Sequence, residues 1–333
     1  ITLRPLQRPS LGSMPASTFS GGPAATCLIG VPALVGRHEL LFPPRNRHFR
    51  RHQGGFQFAG MLSGLGVPIV VATPDGRAAT WFSSTVPVMS QAEALRRITA
   101  DDVILFSLPH DYAALKATGA KLVLHCQGTD PLIDPILADE SVVLLSCWEQ
   151  AARYMSERAG RSSIEVGISI SQTFFYDGRP KLLGDVAYMS RRGAAIAEAT
   201  MRRCADLHFT AIDGASEREA AAAMMRCGYF LGTAAGEWFG LPSLEAMAAG
   251  CIVVSVPVVG GVEYLVDGTT AVVADPAGIP DALAALAVND GASRRARLRD
   301  AGHAIAYRYT PQRQLSRLRT LLATDLRPVL SWT

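Results

Sequence analysis

Nowhere in its 333 residues does the chain hold the ~18–20 consecutive apolar residues that a membrane-crossing helix needs. Charge is scarce too. Only 18% of residues are charged and the balance is +3, which leaves no whole-protein attraction for nucleic acid, so none is expected as a partner. There is no C-x-x-C pair, and no H-x-x-x-H or acidic cluster has convincing metal spacing, so no metal and no other cofactor is expected. Ser146-Cys147-Trp148 lacks the glycines of a nucleophile elbow, and no hydrolase triad is visible. No sequence repeat recurs at a fixed period. Residues 1–24 are rich in Pro, Ser, Gly and Thr and lack the continuous apolar stretch of a secretory signal. They are expected to be a loosely ordered N-terminal extension, or upstream sequence before a start at Met14. The six cysteines (27, 126, 147, 204, 227 and 251) lie mostly in apolar runs, as reduced, buried thiols of a cytoplasmic protein do.

What the chain does hold is apolar sequence, 49% of it, enough for more than one core at this length. Short apolar runs alternate with helix-like stretches. Strands are expected at 27–34, 67–72, 103–107, 122–125 and 142–146, with helices at 55–65, 109–118 and 147–159. Near-continuous apolar strands separated by helices indicate parallel sheets covered on both faces. The pattern pauses at 168–183 and then resumes. Strands are expected at 186–189, 207–211, 229–232 and 251–254, and helices at 194–204, 216–227 and 242–249. Two further helical stretches, 293–306 and 310–323, follow. The fold class is therefore α/β, with two Rossmann-like doubly wound domains facing across a cleft. The expected divisions are 1–24, 25–175, 176–309 and 310–333. Ligands in such sheets bind at the carboxyl ends of the strands.

The informative stretch is Gly236-Glu237-Trp238-Phe239-Gly240-Leu241-Pro242-Ser243-Leu244-Glu245-Ala246-Met247-Ala248-Ala249-Gly250, which follows a strand and opens a helix. Pro242 suits the first turn of that helix, where a missing N–H costs nothing. Gly240 allows close backbone approach just before it. Free amides and the positive end of the helix then make an anion site. Glu237 lies in the loop and Glu245 about one turn into the helix, where carboxylates accept hydrogen bonds from sugar or ribose hydroxyls.

This Glu-x7-Glu segment, with Cys251-Ile252-Val253-Val254 after it and Gly260-Gly261-Val262-Glu263-Tyr264-Leu265-Val266-Asp267-Gly268 downstream, resembles the donor-site signature of a family of retaining glycosyltransferases with the GT-B fold. That family is known as glycosyltransferases group 1, or family 4. The resemblance implies that Glu237 contacts the donor sugar and Glu245 the ribose, with backbone amides around Phe239, Gly240 and Leu241 facing the sugar and diphosphate. Upstream, Tyr188-Met189-Ser190-Arg191-Arg192-Gly193 is similar to the segment in which the family places two cations on the donor diphosphate. Arg191 matches the family arginine, and Arg192 replaces a lysine, which keeps the charge and changes its geometry. The second domain is one strand–helix unit shorter than the common family pattern.

Outside that signature the signals are sparser. Gly54-Gly55 stands before a helix, where the family keeps a glycine-rich loop near the donor. The basic run with Arg45, Arg47, Arg50 and Arg51 is either a solvated loop or an acceptor surface for an anionic carrier or a membrane face. His125 ends a strand, where relatives place a His or Gln near the reacting sugar. His110 and Asp111 end another. The resemblance implies a metal-independent glycosyltransferase that moves a sugar, with retention, from a nucleotide-diphosphate sugar to a glycan or lipid-linked acceptor. Such a protein would be cytoplasmic, with or without peripheral contact at the inner face of the membrane. The alternatives are a non-catalytic binding subunit of the same fold and a GT-B phosphorylase or epimerase. No lysine stands out as a cofactor holder for a phosphorylase.

Overall fold

A computed structural model of the chain describes residues 39–42, 51–78, 83–107, 109–190, 192–288 and 291–330, with backbone alone for 39–42 and 51–53. The expected strand at 27–34 lies outside the described residues, as do Arg45, Arg47, Arg50 and Arg191. Arg51 is placed by its backbone only, at the start of the first helix.

The first lobe is a seven-stranded sheet in the order β3-β2-β1-β4-β5-β6-β7, with every pairing parallel. Its strands are β1 (Glu39–Phe42), β2 (Ile69–Thr73), β3 (Val88–Ser90), β4 (Val103–Phe106), β5 (Lys121–Cys126), β6 (Val143–Ser146) and β7 (Ile164–Glu165). Helices α1 (Arg51–Gly64), α2 (Gln91–Arg97), α3 (Tyr112–Lys116), α4 (Asp134–Leu137) and α5 (Glu149–Ala159) connect them. β2 and β4 are buried at every position, as a sheet covered on both faces requires. Each such Val, Ile, Leu or Phe contributes about 1.5–3 kcal/mol on burial.

The second lobe has five parallel strands in the order β12-β11-β10-β8-β9. They are β8 (Leu182–Tyr188), β9 (His208–Ala211), β10 (Cys227–Gly232), β11 (Ile252–Ser255) and β12 (Val272–Val273). The helices are α6 (Ala194–Arg203), α7 (Glu217–Arg226), α8 (Leu241–Ala248), α9 (Ile279–Ala287), α10 (Ala292–Ala306) and α11 (Pro311–Ala323). Period-two alternation divides the sheet. Val186, Tyr188, Tyr229, Leu231, Ile252 and Val254 pack on one face. Ala187, Phe230 and Val253 join the core that runs on into the first lobe. Helix α7 starts at the expected capping box, with the Ser216 and Glu219 side chains each bonded to the other's backbone N–H.

Two features fix where a ligand can sit. In the second sheet β9 lies on one side of β8 and β10 on the other, so the order reverses there. The crevice lies at that reversal, outside the carboxyl ends of β8 and β10. The last helix leaves the second lobe and packs on the first. Gln314 accepts a hydrogen bond from Ser169 Oγ at 2.7 Å and donates to the Gly167 carbonyl at 2.7 Å. Lys121 Nζ donates to the Pro328 carbonyl at 2.9 Å. Residues 310–330 thus tie the lobes together. Among the described residues no helix is long and apolar enough to cross a membrane.

Candidate active site

Strand β10 delivers the chain to the loop 233–240 and α8 takes it away. Gly240 caps α8 with a φ of +77°, and a β-carbon there would lie 2.8 Å from the Tyr264 hydroxyl. That left-handed, crowded position suits glycine alone. The Tyr264 hydroxyl lies 2.9 Å from the Phe239 carbonyl and 2.6 Å from the Gly240 carbonyl, and its O–H ties down both. No side chain caps α8, so its amino end keeps its positive partial charge for a ligand. Phe239 is buried, its ring 4.9 Å from Trp148 and 5.2 Å from Tyr264, so it offers the cavity mainly its packing and backbone.

Strand β8 delivers Arg192 to the same place. Thr233 Oγ1 donates to the Arg192 carbonyl at 2.6 Å, and Gly193 (φ +72°) presses so close to the Thr233 carbonyl that a β-carbon would lie 2.1 Å from it. The turn is held from the end of β10, and from it Arg192 Nη1 reaches Glu237 Oε1 at 2.5 Å. Glu237 is anchored in turn, its carbonyl accepting from Val259 N–H at 2.7 Å.

These groups border a cavity of about 470 Å³ between the lobes. Arg192, Thr233, Glu237 and Leu241 line it from the second lobe, Gln127 and Trp148 from the first. Its walls are otherwise largely apolar, with Met189, Trp238 and Val258 among them. Low local dielectric strengthens the few charges that face it.

The remaining predicted residues fall elsewhere. Glu245 is buried in α8, one turn beyond the helix start and outside the cavity lining. Gly54 and Gly55 stand within the first turn of α1 rather than before it, and Gly54 faces the Gln127 side chain at ordinary contact distance. His125 is buried on β5. Its ring stacks on Phe58 at 4.4 Å, Gln127 Nε2 lies 3.1 Å from its Nδ1, and Cys147 Sγ lies 3.2 Å from its Nε2. Burial pulls its pKa down to about 4. The imidazole is neutral, sits behind Gln127 and does not line the cavity. His110 and Asp111 lie in a turn after β4, also away from the cavity lining. Among the described residues no group of His, Cys, Asp or Glu could hold a metal ion. Five of the cysteines, Cys126, Cys147, Cys204, Cys227 and Cys251, are free and buried; Cys27 lies outside the described residues.

Gln127, Thr233 and the two tryptophans escaped the sequence reading. A signal existed for Gln127, since it stands two residues beyond His125 at the end of a strand, where alternate residues share a face. Thr233 ends an apolar strand, but nothing in its neighbours marks it as the partner of Arg192.

Comparison with known proteins identifies the fold. The fold is that of the GT-B glycosyltransferases. Sucrose-phosphate synthase from Thermosynechococcus elongatus superposes with a TM-score of 0.62 at 13% identity, over 82% of this chain and 92% of that one. The Anabaena protein HepE, solved with UDP and glucose, gives 0.55 at 14% identity over 79% and 88%. TarM of S. aureus gives 0.54 at 12% identity over 67% of this chain and 55% of its own length. Residues 192–289 match the family model described as Glycosyl transferases group 1. No curated protein matches by sequence. The matched segment runs from Arg192 to just past α9, so it contains Glu237 and Glu245. The GT-B first lobe, with Gln127 and Trp148, stands outside it.

Proposed function

We propose that the chain is a retaining, metal-independent glycosyltransferase that moves a sugar from a nucleoside-diphosphate sugar to an acceptor hydroxyl. One observation carries the reading. Arg192 and Glu237 meet beside the uncapped amino end of α8, in an interlobe cavity at the point where the strand order reverses. A cation and a helix amino terminus stabilise the oxyanion of a departing diphosphate, which is the charge that develops as the bond to the sugar breaks. Arg191, next in sequence, adds a second cation in this reading. Glu237 accepts from sugar hydroxyls, Glu245 from the ribose, and no side chain is assigned as a nucleophile. The acceptor, a glycan or lipid-linked saccharide, approaches from the first lobe, past Gln127 and Trp148, with Arg45, Arg47, Arg50 and Arg51 guiding an anionic carrier. Work at the inner face of a membrane belongs to the same reading. The neighbour solved with UDP and glucose makes uridine the first nucleoside to test.

The test is a panel of UDP, GDP, ADP and dTDP sugars. Thermal stabilisation by one of them is expected, about 2.7 kcal/mol at 100 times its dissociation constant. Slow release of the nucleoside diphosphate should accompany it and accelerate with acceptor. Stabilisation without release would make the chain a binding subunit. Neither effect with any donor would remove the reading.

A further inference from the structure

We infer that the Arg192–Glu237 ion pair makes the site choose the sugar nucleotide over the spent nucleoside diphosphate; this rests on the donor site proposed above. The pair is neither a loose surface contact nor a fully buried one. The Arg192 side chain is 41% exposed and that of Glu237 25%. Both backbones are pinned, Arg192 by Thr233 Oγ1 and Glu237 by Val259 N–H. The two charges therefore stay within reach of each other whatever occupies the cavity, and only their side chains choose partners.

A diphosphate docked at the amino end of α8 competes for Arg192. The N–H that Arg192 gives to Glu237 is then unavailable to a phosphate oxygen, and turning the guanidinium toward the phosphate strips Glu237 of its cation. Among the described residues Arg192 is the side chain that reaches the Glu237 carboxylate, while Gln127, Thr233, Trp238, Ser243 and Ser255 share the cavity lining as its other side-chain donors. A carboxylate left there without a partner is unfavourable. The sugar of an intact donor supplies hydroxyls that donate to it. In the place of that sugar a bare nucleoside diphosphate supplies only phosphate acceptor oxygens and more negative charge. Donor binding thus exchanges one satisfied arrangement for another, whereas product binding leaves Glu237 unpartnered beside an anion. Once the sugar has moved to the acceptor, Glu237 recaptures Arg192 and the diphosphate loses its cation. The same contact sets donor selectivity and speeds product release.

The inference predicts a gain on mutation. Isothermal titration of the full chain would compare UDP with UDP-glucose, GDP with GDP-mannose, ADP with ADP-glucose and dTDP with dTDP-glucose. Wild type should bind the sugar conjugate at least about tenfold more tightly than the diphosphate, the lower end of what a charge-assisted hydrogen bond gives. Glu237→Gln should bind the bare diphosphate about tenfold more tightly than wild type, and should lose the preference for the conjugate. Glu237→Asp, which keeps the charge and shortens its reach, should fall between. Far-ultraviolet circular dichroism of both variants checks that they fold as wild type does. Folded Glu237→Gln with unchanged or weaker diphosphate affinity overturns the inference and leaves the donor site standing. Wild type that binds none of these nucleotides overturns the donor site and the inference with it.

Discussion

Trp238 of the second lobe lies against Gly128 of the first. A β-carbon on that glycine would come within 3.2 Å of the indole Cδ1 and Nε1. The relationship is reciprocal, because Trp148 of the first lobe meets Gly260 of the second, where a β-carbon would lie 2.8 Å from Nε1. Each lobe thus offers an indole to a bare stretch of the other's backbone, on the border of the cavity.

Gly260→Ala tests how far the site depends on this closeness. Its β-carbon would also lie 2.6 Å from the Trp238 carbonyl, which is backbone and cannot swing away. Crowding of that kind costs about 1–3 kcal/mol. The variant should unfold earlier in urea, and sugar transfer should fall more than nucleotide binding, because the seam between lobes moves while α8 stays. Unchanged stability and turnover would show that the seam has slack.

Much of the fold was legible because its cause is local. Runs such as Val103–Phe106 and Ile252–Ser255 announce buried parallel strands, and the sequence from Glu237 to Gly250 announces a loop feeding a helix start. The elements that escaped are those too short for periodicity to act on. β3 is Val-Met-Ser and β12 is two valines, and both exist because a neighbouring strand offers a ladder. Helix α9 escaped although its buried Ile279, Leu283 and Leu286 recur at i, i+4 and i+7, because alanines fill most positions between them and blur the stripe. At the site, Arg192 and Glu237 were readable because their segments resemble a family signature, and the pairing of β8 with β10 brings them together. His125 and Gln127 were not separable, since strand alternation gives them the same side. Only the packing of Phe58 and Cys147 shows that His125 is the covered one.

That covering has a pH signature. His125 is neutral when folded, with a pKa of about 4 against the usual 6.5. Between those values the unfolded chain binds more protons than the folded one. Stability therefore falls as the pH drops from about 6.5 to about 4, by roughly 3 kcal/mol from this residue in total. His125→Gln should flatten the slope in that window. Urea melts at pH 7 and pH 5 for both proteins measure it, and equal slopes would mean that the imidazole is not held neutral.

Arg192→Ala separates phosphate from base. In the proposed site its ligand partner is the diphosphate of the intact donor, so sugar-nucleotide affinity should fall about ten- to a hundredfold while nucleoside affinity holds. Chelation should have no comparable effect, since α8 and the arginines supply the positive charge. Turnover abolished by EDTA and restored by Mn²⁺ or Mg²⁺ would refute the metal-independent reading. Equal losses for nucleoside and sugar nucleotide would move Arg192 away from the phosphate.

The deepest control on the site lies in Tyr264, which does not itself line the cavity but holds two residues that do. Its hydroxyl is fully buried and serves the Phe239 and Gly240 carbonyls, the last two before α8. Burial drives its pKa well above the usual tyrosine value, so it remains an O–H donor at any working pH. Tyr264→Phe keeps the ring packed on Phe239 and removes only that donor. The Gly240 carbonyl still accepts from Ser243 N–H, but the Phe239 carbonyl loses this donor, which costs about 1–3 kcal/mol. The loss falls on the loop that carries Glu237 and sets the direction of α8. Donor affinity should therefore drop together with stability, whereas a purely structural tyrosine would lower stability alone. Titrating the variant with the donor found by the nucleotide panel, beside a urea melt, distinguishes the two. Wild-type donor affinity in a destabilised Tyr264→Phe protein would show that the loop keeps its shape without the hydroxyl.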